Sequence, residues 1–117
     1  MINLENSDLE KVLLTISTYN KDSKIVGGLV SEELTFGTKR KLQKIYKAAY
    51  EKYTEFVADK EKIAKEFKDN PEELEKEFQE LLKEKVKLDV EPILLSALEN
   101  ISTKNMYDFE IIEKIAM

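Results

Sequence analysis

The chain has no cysteine, no histidine and no tryptophan among its 117 residues, only three glycines and two prolines, and a single arginine, Arg40, among 19 basic residues. Without cysteine there is no disulfide and no thiol nucleophile. Without cysteine and histidine together, the usual zinc-finger ligands and the imidazole general base are also missing. A lone arginine removes most of the bidentate phosphate chemistry that a guanidinium supplies. No apolar run approaches the ~20 residues of a membrane span. The opening Met1-Ile2-Asn3-Leu4-Glu5 carries no basic region followed by an apolar core, so it does not read as a signal peptide. The expectation is an intracellular chain with no membrane partner and no cofactor.

What is present is ordinary for a folded domain: 42% hydrophobic residues offset 37% charged ones, which argues against global disorder. One domain over 1–117 is expected, with a modest core. The net charge of −5 disfavours general polyanion binding and directs attention to local basic patches.

The organising stretch is Thr35–Lys85. From Leu42 the residues Leu42, Tyr46, Ala49, Tyr53, Phe56, Lys60, Ile63 and Phe67 recur as a heptad seam with one polar exception, Lys60. The seam stops at Asp69-Asn70-Pro71, and Leu74, Phe78 and Leu81 continue a second periodic run. The pattern predicts an αα-hairpin. Thr35 or Thr38 caps a long helix running to about Lys68; Asn70, with Pro71 in the first turn and Glu73 behind it, opens a shorter helix over Pro71–Glu84. At 1.5 Å per residue the arms are about 45–50 Å and about 20 Å long. The short arm covers only the Phe56–Phe67 half. The Leu42–Tyr53 half then needs cover from elsewhere in the chain or from a second chain.

Around this hairpin, Ile2–Leu4 alternates as a short strand, and Val86–Glu91 alternates strictly before Pro92, forming its partner. Ser7 and Glu10 form a capping-box pattern ahead of the stripe Leu9, Val12, Leu13, Ile16. The cap favours a helix there over a strand across Val12–Tyr19. Asn20–Ser23 is a turn. Ile25-Val26-Gly27-Gly28-Leu29-Val30 reads either as a β segment broken by a glycine pair or as an apolar loop over the core. After Pro92 one helical turn with Ser96 as cap is expected. A last helix follows, capped by Ser102 or Thr103, with Met106, Phe109, Ile112 and Ile115 as its stripe. The two terminal helices are the natural covers for the Leu42–Tyr53 face. The fold class is α+β, mostly helical, a long αα-hairpin with a small two-stranded β element and flanking N- and C-terminal helices.

Three constellations carry functional readings. Arg40, Lys44 and Lys47 share a face at the start of the long helix, where cations oppose the helix dipole; the ordinary reading is a solvated face, the functional one a nucleic-acid contact. Tyr46, Tyr50 and Tyr53 lie on neighbouring faces and read as a core boundary or as a protein-binding or self-association patch. The many carboxylates, interleaved with lysine and lacking Glu-x-x-His, read as a solvated surface rather than a di-metal site.

The order of parts resembles a family of small uncharacterised proteins encoded by phages and prophages of low-GC bacteria. The residues that carry the likeness are Leu4–Leu9, Leu34–Lys39 ahead of the Lys/Glu-rich helix, Glu73–Leu82, Val86–Ile93 and Leu98–Ser102. The chain departs from that pattern at Lys24–Glu33, an insertion, and in the very short link between the long helices. The resemblance implies an α+β fold and a viral or mobile-element origin, and brings no catalytic or site residues with it. Together these observations lead to a non-enzymatic phage or prophage accessory protein, an assembly factor or inhibitor of a host protein. It would act through a phage or host protein partner, or as a homo-oligomer, in the bacterial cytoplasm or with the virion. Nucleic-acid binding through the basic face is the alternative.

Overall fold

A computed structural model describes residues 1–99, 101 and 107–117. Strand β1 (Ile2–Glu5) pairs antiparallel with β4 (Lys85–Leu88), Ile2 opposite Leu88 and Leu4 opposite Val86. The alternation works as the period-2 rule requires: Ile2, Leu4 and Leu88 are buried while Asn3 and Lys87 face out. The second strand is shorter than the predicted Val86–Glu91. Ile2 already stands opposite Leu88, so only Met1 is left to face Asp89 and the ladder has no partner for Val90 and beyond.

The first helix, α1 (Leu9–Ile16), buries the expected Leu9, Val12, Leu13 and Ile16. Its entry differs from the Ser7/Glu10 box. A 3₁₀ turn over Asn6–Asp8 comes first, and the Asp8 carboxylate reaches back to accept the Glu5 N–H at 2.9 Å. Asn6 is buried and satisfied across the chain: its side chain donates to the Leu81 carbonyl at 2.9 Å and its N–H to the Glu84 carbonyl at 3.0 Å. The turn thereby fastens the N-terminus to the end of the hairpin, a link no local sequence pattern encodes.

The hairpin consists of α2 (Phe36–Glu66) and α3 (Pro71–Lys83). Thr35 Oγ1 accepts the Thr38 N–H at 3.2 Å, and Asn70 Oδ1 accepts the Glu73 N–H at 3.3 Å, with Pro71 in the first turn as predicted. On the proximal half, Leu42, Ile45 and Ala49 are fully buried. They pack chiefly against α1, with Leu29 plugging the same layer. The distal half is thinly covered. Of α3 only Leu81 is buried, while Ile63, Phe67, Leu74 and Phe78 are half-buried. A radius of gyration of 16.0 Å exceeds the ~13 Å of a compact chain this long, because the distal hairpin projects and draws the molecule out to 50 × 32 × 22 Å. Lys60, the polar seam position, is exposed and lays its ammonium 5.1 Å from the Phe78 ring centre.

The 18–34 region holds a second small sheet, β2 (Thr18–Tyr19) with β3 (Ile25–Gly27). Both alternatives for this stretch hold in part: a β segment runs up to Gly27, and an apolar 3₁₀ turn, Leu29–Ser31, then closes over the core. The Asn20 side chain organises the hairpin loop by accepting the N–H groups of Asp22 and Lys24 at 2.9 and 3.0 Å.

At the C-terminal end, α4 (Phe109–Ile115) docks mainly on α1 and β1, so it backs α1 more than it covers α2. Its cap is Asp108, which accepts from the Glu110 and Ile111 N–H groups at 3.1 and 3.4 Å; Ser102, Thr103 and Met106 lie outside the described residues. The buried stripe is Ile111, Ile112 and Ile115. Phe109 is 66% exposed, because it opens the helix and points away from the face that meets α1. Ile93 bridges in parallel to this end, donating to the Ile115 carbonyl and accepting from the Met117 N–H. The turn that follows Ile93, Leu95–Leu98, has Leu94 at its cap position, so Ser96 lies inside it and is not its cap.

Candidate functional site

The six residues singled out on α2 separate into three groups. Tyr46 and Tyr50, one turn apart, stack with ring centres 6.4 Å apart and planes at 11°. A residue from outside α2 completes the row: Tyr19 of β2 meets Tyr46 edge-on at 6.2 Å. Burial raises the Tyr46 hydroxyl pKa above its ordinary value, with Tyr19 and Tyr50 adding to the rise. Tyr53 turns instead to Phe56, 6.3 Å away, and continues the seam toward the distal hairpin.

Beside the tyrosine row the β2–β3 hairpin presents more apolar surface. Ile25 stands opposite Tyr19 and is 49% exposed; Val26, the extra residue at a register shift, is 60% exposed. Tyr19 and Tyr50 are themselves 47% and 54% exposed, so the β2–β3 hairpin and α2 together leave four large side chains half in water. Bulges commonly re-aim a side chain in this way. Tyr19 escaped the sequence reading because a two-residue strand leaves almost no periodic trace. The signals available were the rival strand reading across Val12–Tyr19 and the turn Asn20–Ser23 followed by Ile25-Val26.

The basic residues lie on another flank. Arg40 and Lys44, with Lys41, line a groove of about 600 Å³ whose opposite wall is Asp89, Val90 and Glu91. Lys41 pairs with Glu91 at 3.8 Å. Lys47 is exposed and does not line this groove. A polyanion entering the groove would meet two carboxylates as well as three cations, so the basic run is locally compensated.

Acidic residues accumulate along α3. Glu77 is pushed above the ordinary carboxylate range by desolvation first and then by Glu80 and Glu73. Among the described residues no group of three or more acidic side chains is placed to hold a metal ion, and every buried side-chain polar atom has a partner. The geometry offers an amphipathic aromatic surface, able to bury rings while keeping hydroxyls wet. No family model, curated protein or solved structure matches this chain.

Proposed function

We propose that this chain is a non-enzymatic accessory protein of a phage or prophage that works by docking a protein on the Tyr19–Tyr46–Tyr50 face. The observation that carries the docking surface is the contiguous row Tyr19–Tyr46–Tyr50, with Tyr19 and Tyr50 half exposed and Ile25 across the ladder from Tyr19, set against a helix that the core buries through Leu42, Ile45 and Ala49. Tyrosine is favoured at such centres because it buries a large area at low conformational cost. The viral setting rests on the order and composition of the elements, as does the choice between an assembly factor and an inhibitor of a host protein. Residence in the bacterial cytoplasm or the virion belongs to the same proposal; among the described residues no helix is long and apolar enough to cross a membrane.

A photo-crosslinking residue at Tyr50, with one at exposed Lys62 as control, tests this reading in cells that express the protein. Discrete adducts from position 50 and none from position 62 are expected. Equal smears from both, or no adduct from either, would remove the docking face. For nucleic acid, the carboxylates of Asp89 and Glu91 predict no retention on a polyanion column beyond about 100 mM salt, a condition at which multi-phosphate contacts persist. Retention lost in an Arg40→Glu, Lys44→Glu variant would reverse that assignment.

A further inference from the structure

Beside the core-facing Leu42, Ile45, Ala49 and Phe56, a second row runs down α2: Tyr46, Tyr50, Tyr53, Val57, Lys60 and Ala64, spaced 4, 3, 4, 3, 4. None of the six is fully buried, and Tyr50, Lys60 and Ala64 are exposed. The row flanks the core-facing one: Tyr46 and Tyr53 pack partly against the core and Lys60 reaches over Phe78, while Tyr50 and Ala64 stand open to solvent. Its heptad spacing along a 31-residue helix is the pattern of a coiled-coil seam, with a polar residue of the kind that sets register. The charges beside it indicate what lies across. In an antiparallel pairing centred between Tyr53 and Val57, Tyr53 layers with the partner's Val57, Tyr50 with the partner's Lys60, and Tyr46 with the partner's Ala64. Each bulky ring then faces a smaller or flexible side chain. On the solvent flank the same register sets Lys47 against the partner's Glu61, twice by symmetry, with Thr54 against its own copy at the axis. The like-charged Arg40 and Lys68 oppose each other only past the last turn of α2, because Lys68 lies beyond Glu66.

The ends of the hairpin agree with this direction. The first three turns of α2 carry Lys39, Arg40, Lys41, Lys44 and Lys47 and no acid, whereas α3 carries Glu72, Glu73, Glu75, Glu77 and Glu80 against two lysines. Antiparallel packing brings the acidic arm of each chain to the basic end of the other. A parallel pair would set like against like.

We infer that the occupant of the Tyr46–Ala64 row is the α2 helix of a second copy of this chain, antiparallel about a two-fold axis. The inference rests on the docking face proposed above and names its partner. Sedimentation equilibrium from about 1 to about 300 µM, a span that covers micromolar affinities, reads it directly. The wild-type chain should approach twice its monomer mass. Lys47→Glu or Glu61→Lys alone should weaken association about tenfold by turning two attractions into repulsions, and the double variant should restore it to within about threefold. Both side chains are exposed, so folding is unaffected, and melting curves verify this. A monomer throughout, or a dimer indifferent to the swaps, overturns the antiparallel copy. The two ideas separate cleanly: a Tyr50 adduct at a mass other than twice the chain keeps the docking face and rejects the second copy.

Discussion

Gly28→Ala is expected to destabilise the protein by about 3–4 kcal/mol, a large share of the 5–15 kcal/mol that holds a domain together. Gly28 sits at φ 91°, ψ 176°, a backbone region open essentially to glycine alone. A Cβ built there would stand 2.5 Å from the Ile16 carbonyl oxygen and 2.8 Å from the Ser17 Cα, both backbone atoms that cannot swing aside. Relieving the clash means lifting the β3 strand off the end of α1, which withdraws fully buried Leu29 from the core. A fall in melting temperature of about 12–20 °C is the readout. The other two glycines serve as controls. Gly27→Ala meets only the Thr18 side chain, at 3.6 Å, and should cost under about 1 kcal/mol. Gly37→Ala meets nothing within 4 Å in the first turn of α2 and should stabilise by about 0.5–1 kcal/mol. Equal effects at Gly27 and Gly28 would show that the close approach to Ile16 is not what holds this corner.

Asp8→Ala is the second large effect, about 2–3 kcal/mol, because one buried carboxylate serves two elements. Asp8 accepts the Glu5 N–H at the entry to α1 and holds the Lys114 ammonium of α4 with both oxygens at 3.0 Å. Burial pushes this carboxyl upward, but the Glu5 N–H and Lys114 more than offset it and leave it below its ordinary value. Lys114, by the same hydrogen bond, is raised. The sign of the pH dependence follows. A depressed carboxylate contributes stability that is complete above its unfolded value near ~3.9 and is lost as pH falls through the folded one. The stability gap between wild type and Asp8→Asn should therefore close below about pH 4. The Lys114 contribution is present below its unfolded value near ~10.4 and is lost only as alkaline pH passes the folded one. Because Lys114 is 44% exposed, Lys114→Met should cost about 1 kcal/mol or less. A double-mutant cycle with no coupling between positions 8 and 114 would mean that Asp8 acts only through the Glu5 N–H.

These two positions show unequally how far the chain can be read in advance. The hairpin was legible because its signals are local and repeated: Thr35 and Asn70 cap, Pro71 starts, and an apolar residue recurs each turn between them. The β1–β4 ladder was legible from alternation at both ends. The true entry, a box in which Asp8 reaches back to the Glu5 N–H, was not, because Ser7–Glu10 offers a competing box, and the choice is made by Asn6 reaching Leu81 and by Lys114 waiting 106 residues away. The tyrosine cluster divides in the same way. Tyr46 and Tyr50 announce themselves by helical spacing, whereas Tyr19 joins them through a fold-back of two-residue and three-residue strands.

Local pattern thus settled the elements, their order and the length mismatch that leaves half of α2 in need of cover, since capping, periodicity and rise per residue act within a few turns. Tertiary structure chose the cover, α1 and Leu29 rather than α4, and parted the Arg40–Lys44 groove from the tyrosine face by bringing Asp89 and Glu91 against it. Those outcomes depend on which surfaces bury the most apolar area without stranding a polar group, a sum over the whole chain that no single stretch contains.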